Sequence, residues 1–163
     1  MIYRMVTMIG MALLLITGCT PQKDTGTKDC INLSTPEGLV HAVFQALRNH
    51  DSQAYVMLTA HTKEELKVAF ENDDFEPTDI QLEEMRQIRI SFFDEFIVKV
   101  EEQGFDLTGA VIKEIRDLQG GAAKYENYVL VVHDGMSELE IILDDCLLFP
   151  RGWLIIDCLR LRE

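Results

Sequence analysis

Basic residues are scarce in this chain: 15 lysines and arginines stand against 28 aspartates and glutamates, for a net charge of −13. Nucleic-acid binding needs a basic footprint, so that class is excluded. The same deficit removes an anionic lipid surface as an electrostatic partner; the acidity itself reads as simple solubility. The four cysteines form no C-x-x-C pair, which excludes thioredoxin-type redox and zinc-ribbon sites. H-E-x-x-H, the phosphate loop, the G-x-S-x-G elbow and the dinucleotide glycine pattern are missing too, which weighs against the common hydrolase and nucleotide classes. No motif calls for a metal or a cofactor.

The chain also lacks a hydrophobic run long enough to span a bilayer, which takes roughly 20 apolar residues. Its one apolar run, Met5 to Ile16, follows Arg4 and ends in Leu15-Ile16-Thr17-Gly18-Cys19. A positive start, a short apolar core and small residues before a cysteine make a signal peptide over residues 1–18. The last five residues resemble the lipobox of bacterial lipoproteins. That resemblance implies a lipidated Cys19, with two or three acyl chains such as palmitate, and membrane attachment through lipid alone. Thr20 in place of an acid points to the outer membrane, facing the periplasm, if the source is Gram-negative. Losing residues 1–18 removes only Arg4 among the charged residues, so the mature net charge goes from −13 to −14. Residues 19–33 read as the lipidated cysteine and a polar tether, and residues 34–163 as one domain.

Thr35-Pro36-Glu37 announces a helix, with Thr35 as cap and proline at its first position. Leu39, Val40, Val43, Phe44 and Leu47 form its apolar stripe. Asn49-His50-Asp51 breaks it, and Ala54 to Leu58 starts a second helix. Thr62 and Glu65 make a capping box for a third, ending near Phe70. Glu71 to Asp79 lacks the spacing and central glycine of a calcium loop and reads as a solvated connector. A fourth helix is expected from Thr78 or Asp79 to about Phe93, with Leu82, Met85, Ile88 and Phe92 inward.

Beyond Phe93 the apolar residues alternate. Phe96, Val98 and Val100 read as one strand, and 109–118, 125–133, 137–149 and 153–161 as four more, with Gly120-Gly121 a turn. Helices followed by a meander give an α+β domain, the helices packed on one face of an antiparallel sheet. Asp134-Gly135 is a strong hairpin signal and pairs His133 with Met136, Leu130 with Leu139, Tyr128 with Ile141 and Lys124 with Asp145. Proline bars a primed turn at Pro150-Arg151, so a type I turn closed by Gly152 pairs Phe149 with Trp153. Outward from it, Leu147 faces Ile155, Asp145 faces Asp157, Leu143 faces Leu159 and Ile141 faces Leu161. Both turns then place the same apolar face inward.

Two facing carboxylates on that wall are costly. Either one is protonated in a pocket, as a general acid/base pair would be, or both sit at a wet rim bridged by Lys124. Cys146 and Cys158 fall on the opposite face, offset by two residues. Their Cα separation of about 7–8 Å is long for a disulfide; a bulge could close it, Cys30 could reach either, or the thiols stay free. His41, His50, His61 and His133 sit at boundary, loop and hairpin positions.

Thr35-Pro36-Glu37, the helix to Leu47, the polar break with Asp51, Ala54-Tyr55, and the closing Gly152-Trp153-Leu154-Ile155-Ile156-Asp157 together resemble nuclear transport factor 2-like lipoprotein domains. The resemblance covers most of residues 34–163. It implies a cone, in which a curved sheet closes over the first helices and leaves a pocket. In the ketosteroid isomerase branch an acidic base and a tyrosine line that pocket, parts that Asp145, Asp157 and Tyr128 could take here, with Trp153 beside them. The reading preferred is a non-enzymatic envelope module that binds a small apolar ligand or an envelope protein. The alternative is an isomerase or dehydratase using the pocket carboxylates.

Overall fold

Local sequence chemistry sets the helix starts. In a computed structural model that describes residues 32–72, 74–118 and 125–162, the Thr35 hydroxyl accepts the Gly38 amide at 3.1 Å and opens α1 (Pro36–Arg48). Asp51 caps α2 (Ser52–Met57) through the Ala54 amide at 2.9 Å. Thr62 and Glu65 exchange both bonds of a capping box at the start of α3 (Lys63–Phe70). Thr78 and Gln81 make a second capping box, at the start of α4 (Asp79–Glu102). Each such cap contributes about 1 kcal/mol. The signal peptide, Cys19, Cys30, Gly120-Gly121 and Lys124 lie outside the described residues.

The strands are β1 (Val111–Asp117), β2 (Glu126–His133), β3 (Glu138–Phe149), β4 (Gly152–Ile155) and β5 (Leu159–Leu161). They form one antiparallel sheet that is not closed, in the order β1-β2-β3-β4, with β5 pairing the first half of β3 and β4 its last. Four helices and five strands among the described residues make the α+β domain expected.

The fourth helix differs from expectation. It runs nine residues past Phe93, through the segment read as a strand. Phe93, Phe96, Ile97 and Val100, at helical spacing, are all buried, whereas Val98 is half exposed. The alternation of Phe96, Val98 and Val100 is therefore incidental to a longer 3.6-residue period. Of the four side chains expected inward, Leu82 and Met85 are partly buried, but Ile88 and Phe92 are exposed.

The registers also move. His133 pairs with Glu138, not Met136, because the hairpin loop is Asp134 to Ser137. Asp134 Oδ1 accepts the Met136 and Ser137 amides, each at 2.8 Å, which stabilises the wider turn. The slip is two residues, so each side chain keeps its face, and Leu130 now faces Ile141 and Tyr128 faces Leu143. At the last turn Phe149 pairs with Gly152, so Trp153 faces Leu148 and Cys146 faces Ile155. Gly152 sits at φ 124°, and an added Cβ would lie 2.5 Å from that of Leu33.

That one-residue slip would invert β4 against the sheet, were it not matched by a bulge. Between Leu143 and Cys146, β3 carries Asp144 and Asp145 opposite the single Asn127 of β2. Asp145 adopts φ 49°, and its amide donates to Asn127 Oδ1 at 2.7 Å. The bulge swaps the faces of everything after it. Trp153 consequently packs, half-buried, on the same core as Leu130 and Leu143, as expected, but Cys146 is inside that core rather than on the opposite face. Leu147 and Leu154 turn the other way.

Two cores result. The main one joins α1, α2 and the second half of α4 to the sheet through Leu39, Val43, Phe44, Tyr55, Phe93, Val100, Leu130 and Ile141. The smaller one lies on the other face of β3 and β4, where Leu147, Phe149 and Leu154 meet Leu66 and Ala69 of α3. The helices thus do not all lie on one face. Nearer β1 that second face is roofed by ion pairs, Arg116 with Glu140 and Arg162 with Glu140 at 3.1 Å, while Val129 and Val131 are buried.

Candidate functional site

The residues singled out from the sequence do not converge. Asp145 is half-buried at the β3 bulge, and Asp157 is exposed in the bend between β4 and β5. They are not ladder partners; the Asp145 carbonyl accepts the Ile156 amide at 2.9 Å instead. Burial, then the Asp144 and Asp157 charges, raise the Asp145 carboxyl above the usual range. Asp144 itself is ion-paired with Arg160. Tyr128 is buried in the main core, its hydroxyl donating to the Glu126 carboxylate. Burial and then that carboxylate raise the Tyr128 phenol, so it stays protonated. Cys146 and Cys158 are free thiols, the first buried, the second half-buried; the disulfide weighed for them is not formed. Among the described residues no group of three or more His, Cys, Asp or Glu side chains could hold a metal ion, and no helix is long and apolar enough to cross a membrane.

A concave site does exist, on residues the sequence reading placed elsewhere. A groove of about 610 Å³ runs between the second half of α4 and β5, within the range of small-molecule sites. Phe92, Phe96, Lys99 and Gln103 recur along one side of α4 and form one wall. Leu159, Arg160 and Leu161 form the other, with Cys158 at its start. Tyr55 of α2 and Phe93 lie beneath, their rings stacked at 4.9 Å. The wall thus has an aromatic character, with Glu95, Lys99 and Glu102 of α4 as its charged residues and Arg160 tied to Asp144.

Tyr55 is 3% exposed, yet among the described residues its hydroxyl has no hydrogen-bond partner. Among the described residues the fully enclosed side-chain polar atom that makes no hydrogen bond is Arg116 Nε, itself 3.4 Å from the Glu114 carboxylate, so the Tyr55 oxygen touches accessible space. Burial first, then the charges of Cys158 and Asp157, push the phenol well above its ordinary value, against the lowering effect of Arg89. It is a neutral donor at any physiological pH.

Arg89 anchors the region from behind. Its guanidinium donates to Thr59 Oγ1 at 2.7 Å and to the Ala60 carbonyl. Thr59 and Ala60 lie along the edge of β4, where the Ala60 amide donates to the Ile155 carbonyl at 2.9 Å and the Ile155 amide to Leu58 at 2.9 Å. This stitch, reinforced by Arg151 bonds to the Met57 and Thr59 carbonyls at 2.6 and 2.8 Å, ties the end of α2 to the sheet.

None of Asp145, Asp157, Tyr128 and Trp153 lines the groove. The missed residues lie mainly on the second half of α4. A helical reading carried past Phe93 would have put Phe92, Phe96, Lys99 and Gln103 on one face. No family model matches this chain, nor does any curated protein or solved structure.

Proposed function

We propose that this chain is a lipid-anchored binding module of the bacterial cell envelope, held by acyl chains on Cys19 and taking a small apolar ligand in the groove between α4 and β5. The supporting observation is the groove itself: apolar walls of Phe92, Phe96, Leu159 and Leu161 above the stacked rings of Tyr55 and Phe93. An apolar lining carrying a few polar groups, here Glu95, Lys99, Glu102 and Gln103, is what small-molecule sites use for affinity and orientation. We read the α+β domain as a nuclear transport factor 2-like cone, with the groove as its opening. The Leu15-Ile16-Thr17-Gly18-Cys19 motif supports the anchor and the envelope location. The carboxylates weighed as an acid/base pair stand outside the groove, so binding is preferred to isomerase or dehydratase chemistry.

The groove is tested with N-phenyl-1-naphthylamine, a neutral dye that fluoresces in apolar sites. The full-length chain carrying Cys19→Ser brightens the dye, and Phe92→Glu lowers its affinity at least about tenfold, since a charge at an apolar wall is costly to desolvate. Phe92 is already 55% exposed, so that substitution leaves the core intact. Val98→Glu, on the same helix but outside the groove, leaves affinity unchanged. Equal binding by both variants would remove the groove as a site. The anchor is tested by labelled palmitate, which the native chain incorporates and Cys19→Ser does not.

A further inference from the structure

We infer that β1 is a pairing edge, along which two copies of this chain join antiparallel, Ile115 against Ile115, so that one sheet runs through both. The two edges of the sheet are treated differently. Beside β4, the segment from Leu58 to Ala60 bonds to both backbone groups of Ile155. The outer side of β1 has no backbone partner among the described residues. The Leu118 amide donates to the Asn127 carbonyl at 2.8 Å, and alternate residues of an antiparallel strand bond to the same neighbour. Glu114 and Arg116 therefore turn their backbone groups to β2, while those of Ile115 and Asp117 point outward. Such a row of donors and acceptors is a template for another strand.

The side chains decide which strand. Charges on an edge ordinarily hinder pairing, but here they change sign about an apolar centre, Glu114-Ile115-Arg116. A two-fold axis through Ile115 sets each Glu114 opposite the Arg116 of the partner copy. Both side chains lie on the same face, two residues apart, Glu114 beside Val131 and Arg116 beside Val129. They form a pair without backbone bonds, the kind in which side chains approach most closely. Opposite charges so placed stabilise the ladder, and the symmetry provides two such pairs. Glu140 already holds the Arg116 guanidinium in position on that face. The irregularity between Ile112 and Glu114 ends before this stretch, and Lys113 is held by Glu138. A different protein would have to match the alternation, whereas a second copy carries it by symmetry. The contact is short, so the dimer is weak.

Charge reversal tests the register in the full chain, held in non-ionic detergent and followed by sedimentation equilibrium. The native chain dimerises, and Glu114→Lys or Arg116→Glu alone weakens the dimer at least about fivefold, because each sets like charges opposite one another twice. An equimolar mixture of the two variants regains the native affinity: the introduced lysine meets the introduced glutamate, and a native pair remains beside it. Ile115→Cys, oxidised with copper phenanthroline, is trapped as a disulfide dimer, since its Cα atoms lie about 5.5 Å apart across the axis. Asp117→Cys is more exposed but about 13 Å from its counterpart, and is trapped no more than the native chain. Trapping does not use the reversed charges, so either test stands if a variant of the other fails to fold. A native chain that stays monomeric, a mixture no tighter than its components, or equal trapping at positions 115 and 117 would overturn the inference.

Discussion

The carboxylate of Glu65 on α3 accepts the guanidinium of Arg151, 86 residues further on in the turn between β3 and β4. The same carboxylate accepts the His61 amide at 2.9 Å and the Thr62 amide at 3.1 Å. One side chain therefore caps its own helix and clamps that helix to the far end of the sheet.

Burial alone would raise the Glu65 carboxyl, but Arg151 and the two amides outweigh it and hold the group at about 2, below its ordinary 4.5. The folded state thus favours the ionised form. Its stabilising contribution is complete above about pH 4.5 and is lost as the pH falls toward 2. Glu65→Gln costs about 2 kcal/mol at pH 7, the worth of a charge-assisted bond, and less at pH 3. Urea melts of both chains at the two pH values measure this, and a difference between them that does not shrink at pH 3 would contradict the assignment.

Helix α4 predicts unequal responses from three residues that alternate in sequence. Phe96→Ala, at a buried position, lowers stability by about 3–5 kcal/mol. Val100→Ala, fully buried and smaller, costs about 1–3 kcal/mol. Val98→Ala, 51% exposed, stays within about 0.5 kcal/mol and gains slightly in helix propensity. Denaturant midpoints give the order, and comparable losses at all three positions would restore the strand reading.

At the β3 bulge, Asp145 holds a left-handed backbone that costs a non-glycine residue about 1–2 kcal/mol. Asp145→Gly relieves the strain and stabilises the chain by up to about 1 kcal/mol at pH 7, while Asp145→Val destabilises it by more than that. Because the Asp145 carboxyl is raised by burial and by Asp144 and Asp157, its ionisation opposes folding. That cost is absent below its ordinary titration range and grows as the pH rises. Asp145→Asn therefore shifts the urea midpoint upward at pH 7 and leaves it nearly unmoved at pH 3.

The two thiols of the sheet differ in access. Burial raises both, and Cys146 is enclosed in the main core whereas Cys158 opens on the groove. N-ethylmaleimide at pH 7.5, read by peptide mass mapping, labels Cys158 slowly in the native chain and Cys146 only after unfolding. Binding of N-phenyl-1-naphthylamine slows the Cys158 reaction at least about twofold. Rapid native labelling of Cys146 would place it outside the core.

Much of the fold was legible because its signals are short-range. The cap at Thr35, the box at Thr62 and Glu65, and the stripe from Leu39 to Leu47 involve residues three or four apart, whose hydrogen bonds and shared face follow from helix geometry alone. The pairing of Leu143 with Leu159 and of Ile141 with Leu161 was legible as well. It came out right only because the extra residue at Asp145 and the one-residue change at the last turn are undone by the bend before β5.

What the amino-acid sequence by itself determined is where α1, α3 and α4 begin, which stretches after residue 109 are strands and which residues are apolar enough to be buried. Tertiary structure alone decided on which side of the sheet they are buried. Face parity along β3 depends on a bulge whose partner, Asn127, is 18 residues away, and no local periodicity records that opposition. The length of α4 was decided in the same way: Phe96 and Val100 satisfy both a two-residue and a helical repeat, and burial against Tyr55, β5 and the main core selects the helix. The groove is the product of that choice. It exists because the prolonged helix lies beside β5, a juxtaposition set by packing between segments some 60 residues apart in the chain.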